Sequence, residues 1–283
     1  MKHLLISTAF FAALANPAAA YTAFLLPQAF WPAGASVTVD AGYAQQFFAP
    51  QIAIGGTYQV IGPTADAGII SGMEIGANAT HLTLQGIPGG TYHVSTGEVL
   101  GQVVTLVGTA DGQWRQLGAG ETPPADAPTT TLQTVTVADS YFTRGAPSRT
   151  AVDHTIGRLA IHPIGDPNQI VQSQGFVVEI LFDGQPMANA PVIIYAAGDA
   201  DSKLDRFVTT DATGRATLTF DQPGQYVLAV QRRANAPAGS AAAVQSFTTT
   251  TTIDVMAEAH ATSRITDAPT QQTQHHRPGR FDH

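Results

Sequence analysis

Apolar and polar residues alternate along several short stretches in the second half of the chain. The stretches 176–182 and 215–220 show the pattern most clearly, and Gly184 and Gly214 lie in the short turns beside them. A period of two places successive side chains on opposite faces of a strand, so that one face can be buried and the other hydrated. Glycine accepts the positive φ that tight turns require. The pattern therefore predicts a compact antiparallel β-sandwich between residues 175 and 255.

The first half of the chain carries the same signal in weaker form. Strand-like alternation or short apolar runs occur at 24–27, 36–40, 81–84, 91–94, 103–107 and 129–142. Helical periodicity is weak, and the Gly-rich stretch 66–77 does not favour a helix. We therefore predict an all-β protein with two Ig-like or transthyretin-like antiparallel β-sandwich domains.

The ends of the chain differ from its body. Residues 1–20 resemble a secretory signal peptide, with Lys2, a short apolar run and a small-residue cleavage site at Ala18-Ala19-Ala20. No later segment is apolar over the ~20 residues that span a bilayer. We predict a soluble periplasmic protein, exported by a cleavable signal peptide and without a transmembrane segment. The predicted limits are a signal peptide (1–20), an N-terminal β domain (21–117), a loop with connecting strands (118–168), a C-terminal β-sandwich (169–257) and a disordered His-containing tail (258–283).

Charge and cysteine content exclude several functions. The formal net charge is -8, and Lys2 and Lys203 are the only lysines, so neither nucleic acid nor an anionic membrane surface is an expected partner. The chain contains no cysteine. This absence excludes a disulfide framework, a zinc–thiolate site and a thiol nucleophile. The fold must then be stabilised by its apolar core.

Histidines are the candidate metal ligands. His81 and His93 flank one predicted hairpin and form a two-histidine site if they share a face; otherwise they are surface positions on polar strand faces. The tail offers three further imidazoles, at His275, His276 and His283. Such groups can bind nickel, cobalt, copper or zinc, although a short polar tail is an unspecific signal.

Two other groups of residues suggest chemistry only in part. Asp199, Asp201 and Asp205 alternate in a loop, as carboxylates do around calcium, but no glycine or closing glutamate follows and Lys203 lies among them, which favours a hydrated loop. The second group is aromatic and could line a carbohydrate or ligand surface, although core and inter-domain packing is favoured; it consists of Phe30, Trp31, Tyr43, Phe47 and Phe48. Neither a G-x-S-x-G nor an H-E-x-x-H motif occurs, so the sequence predicts no enzyme.

Several longer segments together resemble one known family. They are AFLLPQAFWPAGASVTVDAG, ADSYFTRGAPSR, GRLAIHPIGDPNQI, FVVEILFDGQPMANAPV and VTTDATGRATLTFDQPGQYVLAV. The chain resembles the periplasmic proteins of domain of unknown function family 4198, labelled as nickel- or cobalt-uptake-associated. Its second half is similar to transthyretin-like and carboxypeptidase-regulatory-like domains. Family members start with a histidine where this chain has Tyr21, so the metal-binding pair of α-amine and imidazole is absent.

Two hypotheses of function follow. The resemblance implies a non-enzymatic periplasmic binding or accessory protein associated with a metal-uptake system. The alternative is a structural or interaction module that docks an envelope protein, because an unpaired sheet edge can accept another strand. A metal role predicts converging histidines, whereas an interaction role predicts an exposed apolar patch. An enzyme would require a deep pocket with convergent polar groups.

Overall fold

The structure is a computed structural model that describes residues 21–64 and 70–262. All regular secondary structure in these residues is β-strand, which confirms the predicted all-β class. The predicted signal peptide and the tail histidines lie outside the described residues. The strands are β1 (Thr22–Pro27), β2 (Ser36–Ala44), β3 (Ile52–Ala53), β4 (Gln59–Ile61), β5 (Ile70–Ile75), β6 (Thr80–Gln85), β7 (Gly90–Ser95), β8 (Val99–Leu100), β9 (Val104–Gly108), β10 (Trp114–Gln116), β11 (Thr129–Arg144), β12 (Leu159–Pro163), β13 (Ile170–Val171), β14 (Phe176–Phe182), β15 (Gln185–Pro186), β16 (Pro191–Ala196), β17 (Phe207–Thr209), β18 (Arg215–Leu218), β19 (Gly224–Asn235) and β20 (Val244–Met256).

The first sandwich packs a sheet in the order β1-β2-β6-β5 against β4, β7 and the second half of β11. Alternate residues of the first sheet point inward, among them Leu25, Val39 and Leu82, and all three are fully buried. They meet Val94 and Phe142 from the facing sheet. Period-two alternation thus produces the buried face that the sequence predicted.

The second sandwich packs β12, β14 and β18 against β16, β19 and β20. Val178 and Ile180 of β14 are fully buried in its core, together with Leu228 of β19. The predicted turn after β14 has positive φ at both central residues, with 51° at Asp183 and 72° at Gly184. This combination is the one that two-residue hairpins favour.

A long strand joins the two sandwiches. β11 pairs antiparallel with β7, β8 and β9 along one edge, whereas along its other edge it pairs in parallel with β20. The β11–β20 ladder is parallel, from Leu132 opposite Val244 to Ser140 opposite Thr252, so the sheet is mixed and not purely antiparallel as predicted. One sheet therefore runs through both sandwiches. The predicted limits of the segment 118–168 stay a prediction.

Aromatic side chains fill a second contact between the halves. Phe24 of β1 points away from the first core and packs with Phe47 against Tyr195 and Val227. The centroids of the Phe47 and Tyr195 rings are 4.6 Å apart. The prediction that aromatic residues of the first region serve inter-domain packing is confirmed for Phe47.

Candidate functional site

The predicted two-histidine site is not formed. His81 lies on β6 and His93 on β7, and these consecutive strands belong to different sheets. His81 points away from the first core, since its neighbour Leu82 points into it. His93 also points away from that core, because Tyr92 and Val94 line it. The two imidazoles thus lie on opposite outer sides of the sandwich, and this prediction is wrong because alternation gives the face of a strand but not its sheet.

His81 forms an exposed pair with Asp40. Its Nδ1 lies 2.7 Å from Asp40 Oδ1, and the His81 side chain is 48% exposed. Gln28 donates a hydrogen bond to the other carboxylate oxygen. The pair lies on the hydrated outer face of the sheet, where an ion pair contributes little to stability.

His93 forms a buried pair with Asp139. Its Nε2 lies 3.2 Å from Asp139 Oδ1, and the two side chains are 1% and 3% exposed. The Tyr141 ring stacks on the imidazole with 4.4 Å between centroids. Burial raises the pKa of Tyr141 well above its ordinary value, and the nearby Asp139 raises it further, so the phenol is neutral.

The described residues contain no group of three His, Cys, Asp or Glu side chains that could hold a metal ion. In the acidic loop, Lys203 Nζ binds Asp199 Oδ1 at 2.8 Å, and the Ala196 amide donates to Oδ2. The Asp201 amide donates to the Gln45 carbonyl and attaches this loop to the first sandwich. The loop therefore serves packing between the halves.

A shallow cleft of about 320 Å³ lies beside Trp31, lined also by Pro32, Thr143 and His260. The His260 ring stacks on the Trp31 indole with 4.1 Å between the ring centroids. The Gln169 side chain donates a hydrogen bond to the His260 carbonyl and accepts one from the His260 amide. Trp31 Nε1 and Thr143 Oγ1 are already hydrogen-bonded within the protein. The polar groups of these two residues are therefore engaged and not free to select a ligand.

Strand β5 carries an uncovered apolar surface. Met73 lies opposite the buried Leu82, and Ile75 lies opposite the buried Thr80, so both point to the same face as the core residues of β6. Nevertheless Met73 is 50% exposed and Ile75 is 56% exposed. The facing sheet reaches β6, and Ile70 at the start of β5 packs against the core, but Met73 and Ile75 are not covered. We call Met73 and Ile75 the β5 surface.

The edge of β5 is also open in the described residues. β5 pairs with β6 alone, and a register shift between Ile70 and Gly72 leaves 72–75 as its regular part. Ile52 of β3 lies on the same face, since it pairs with Tyr43 of β2, and it is exposed as well. The sequence analysis missed this site, although Met73 and Ile75 alternate with Gly72 and Glu74.

Residues 21–64 and 70–262 contain no helix of the length and apolarity needed to cross a membrane.

Comparisons with known proteins identify the family of the chain. No relative was found among curated proteins. The D0-D1 domain of Intimin is 12% identical, with 81% of this chain and 96% of that chain covered, but its TM-score of 0.20 does not establish a shared fold. A family model matches residues 18–234, and the chain therefore belongs to the family described as Domain of unknown function (DUF4198).

Proposed function

We propose that the protein is an exported, non-enzymatic β-sandwich module that binds a protein partner of the cell envelope along β5. The observation that carries this proposal is the β5 surface, in which Met73 and Ile75 point inward yet remain about half exposed. An apolar face that the protein's own second sheet does not cover is typical of an interaction site.

The edge of β5 defines the chemistry of the partner. An unpaired edge offers a row of backbone N–H and C=O groups, to which an extended segment can add as a further strand. Met73 and Ile75 are two residues apart on one face, so a matching segment carries apolar side chains at alternate positions. Backbone pairing would supply affinity, and the apolar side chains would supply specificity.

The role in nickel or cobalt uptake is a narrower proposal that the family resemblance implies. Residues 21–64 and 70–262 bring no three metal-ligating side chains together. We therefore assign metal binding to the partner, a metal-uptake system, and not to the described part of this chain. The tail histidines His275, His276 and His283 lie outside that part and stay predicted metal ligands.

In-cell photo-crosslinking tests the proposal. A photoreactive amino acid at Ile75 is expected to yield an adduct with an envelope protein, and the added Met73→Lys substitution should abolish it because a charge cannot be buried there. The matched control is Leu100, which is 57% exposed on a different strand. Equal adducts from both positions, or none from Ile75, would refute docking on β5.

A further inference from the structure

The outer face of the first sheet carries a polar row that ends at the open edge of β5. Asp40 of β2 lies opposite His81 of β6, and His81 lies opposite Glu74 of β5. Directly opposed residues of neighbouring antiparallel strands point to the same face, with Cβ atoms about 4.5–5.5 Å apart. The three side chains therefore form one row across the sheet, on the face that turns away from Met73 and Ile75.

Glu74 is the member of this row that has no partner within the described residues. His81 Nδ1 lies 2.7 Å from Asp40 Oδ1, and Gln28 donates a hydrogen bond to the other oxygen of Asp40, so that carboxylate is engaged twice. Glu74 is exposed and forms no ion pair with any side chain of residues 21–64 and 70–262. A strand added to β5 would place one of its own side chains beside this carboxylate.

We propose that the segment that adds to β5 carries a lysine or arginine opposite Glu74, between two apolar residues. This inference rests on the proposed function of β5 as a docking edge. The residue opposite Glu74 lies on the outer face, whereas its two neighbours point to the face of Met73 and Ile75. The partner therefore offers an extended apolar–basic–apolar segment. The formal net charge of -8 also favours the approach of a basic segment.

A second copy of β5 does not have this chemistry. In the antiparallel register that brings Met73 of one copy opposite Ile75 of the other, the two Glu74 side chains lie directly opposite each other. Like charges in such positions destabilise a strand pair. The register that matches the apolar residues is thus the one in which the carboxylates repel, so the edge selects a different chain.

The charge pair contributes to selectivity more than to affinity. An opposite-charge pair between neighbouring strands lowers the dissociation constant about two- to fivefold. Added salt screens this attraction, because the Debye length falls to about 3 Å at about 1 M. The apolar contacts with Met73 and Ile75 are not screened. High salt should therefore remove the preference for a basic residue while binding persists.

Fluorescence anisotropy with matched dye-labelled peptides tests the inference. The probe is Thr-Val-Lys-Val-Thr, and its two relatives carry glutamine or glutamate at the central position. The purified protein should bind the lysine peptide about two- to fivefold more tightly than the glutamine peptide, and the glutamate peptide most weakly. In Glu74→Lys this order should reverse. Asp126→Lys makes the same change of charge in an exposed loop and should keep the wild-type order.

Met73→Gln separates this inference from docking on β5 itself, because it removes an apolar contact without adding a charge. It should weaken all of the peptides alike. Equal wild-type affinities that Met73→Gln weakens would overturn the basic preference and leave strand addition intact. A lysine preference that persists in Glu74→Lys would overturn it as well. Binding of none of the peptides, or binding that Met73→Gln leaves unchanged, would overturn both the preference and the docking on β5.

Discussion

The two edge strands of the first sheet, β1 and β5, have similar lengths but opposite environments. In β1, Leu25 is buried in the first core and Phe24 is buried against the second sandwich. In β5, Met73 and Ile75 are about half exposed. β1 lies against β11 and β20, where the two sandwiches join, whereas β5 lies on the far side of the sheet.

This difference shows that position in the fold, and not apolar content, decides which edge is covered. Thr250 of β20 donates a hydrogen bond of 2.8 Å to the Ala23 carbonyl, so the second sandwich satisfies a backbone group of β1. No equivalent contact covers the β5 surface among the described residues. An edge that stays open while its counterpart is closed is the feature that the proposed addition of a partner strand requires.

The largest expected effect is on stability. Leu25→Ala should lower the free energy of unfolding by about 2–5 kcal/mol, because it leaves a cavity in a packed core. Met73→Ala should change it by less than about 0.5 kcal/mol, because half of that side chain is already hydrated. Urea denaturation of both variants measures the difference, and equal losses would contradict the contrast between the edges.

A smaller effect is expected from the hydrogen bond that covers β1. Thr250→Val removes the donor to the buried Ala23 carbonyl and should cost about 1 kcal/mol. The control is Ser71→Ala in β5, where Ser71 Oγ donates to the Thr83 carbonyl at an exposed position. That change should be close to neutral in the same denaturation experiment. A loss for Ser71→Ala as large as for Thr250→Val would show that both edges are equally covered.

The smallest effect concerns self-association. Glu74 is the only charged residue in β5, and charges on an edge strand oppose edge-to-edge pairing. Glu74→Val should therefore raise the tendency of the protein to associate severalfold, as measured by sedimentation at increasing concentration. Asp126→Val, in an exposed loop, is the matched control and should stay unchanged. Association of both variants alike would point to a loss of net charge and not to the edge.

The sequence predicted the strands better than their partners. Alternation in 36–40, 81–84 and 176–182 correctly indicated strands with one buried face. It could not indicate that β11 would pair in parallel with β20, because strands more than a hundred residues apart leave no local signal of register. The join between the two sandwiches follows from that pairing.

The candidate sites were less predictable for the same reason. His81 and His93 lie in consecutive strands, yet these enter different sheets, so one histidine pairs with Asp40 and the other with Asp139. Both aspartates come from strands distant in sequence. The β5 surface depends on where the facing sheet ends, which is a property of the tertiary fold that no stretch of residues encodes by itself.

Hydrogen–deuterium exchange of the crosslinked complex tests strand addition on β5 most directly. Backbone amides that gain a ladder partner exchange more slowly, so residues 70–75 should become protected relative to the free protein. Amides of β1 should exchange at the same rate in both states, because that edge is already covered. Protection at another segment with unchanged exchange at 70–75 would contradict the account.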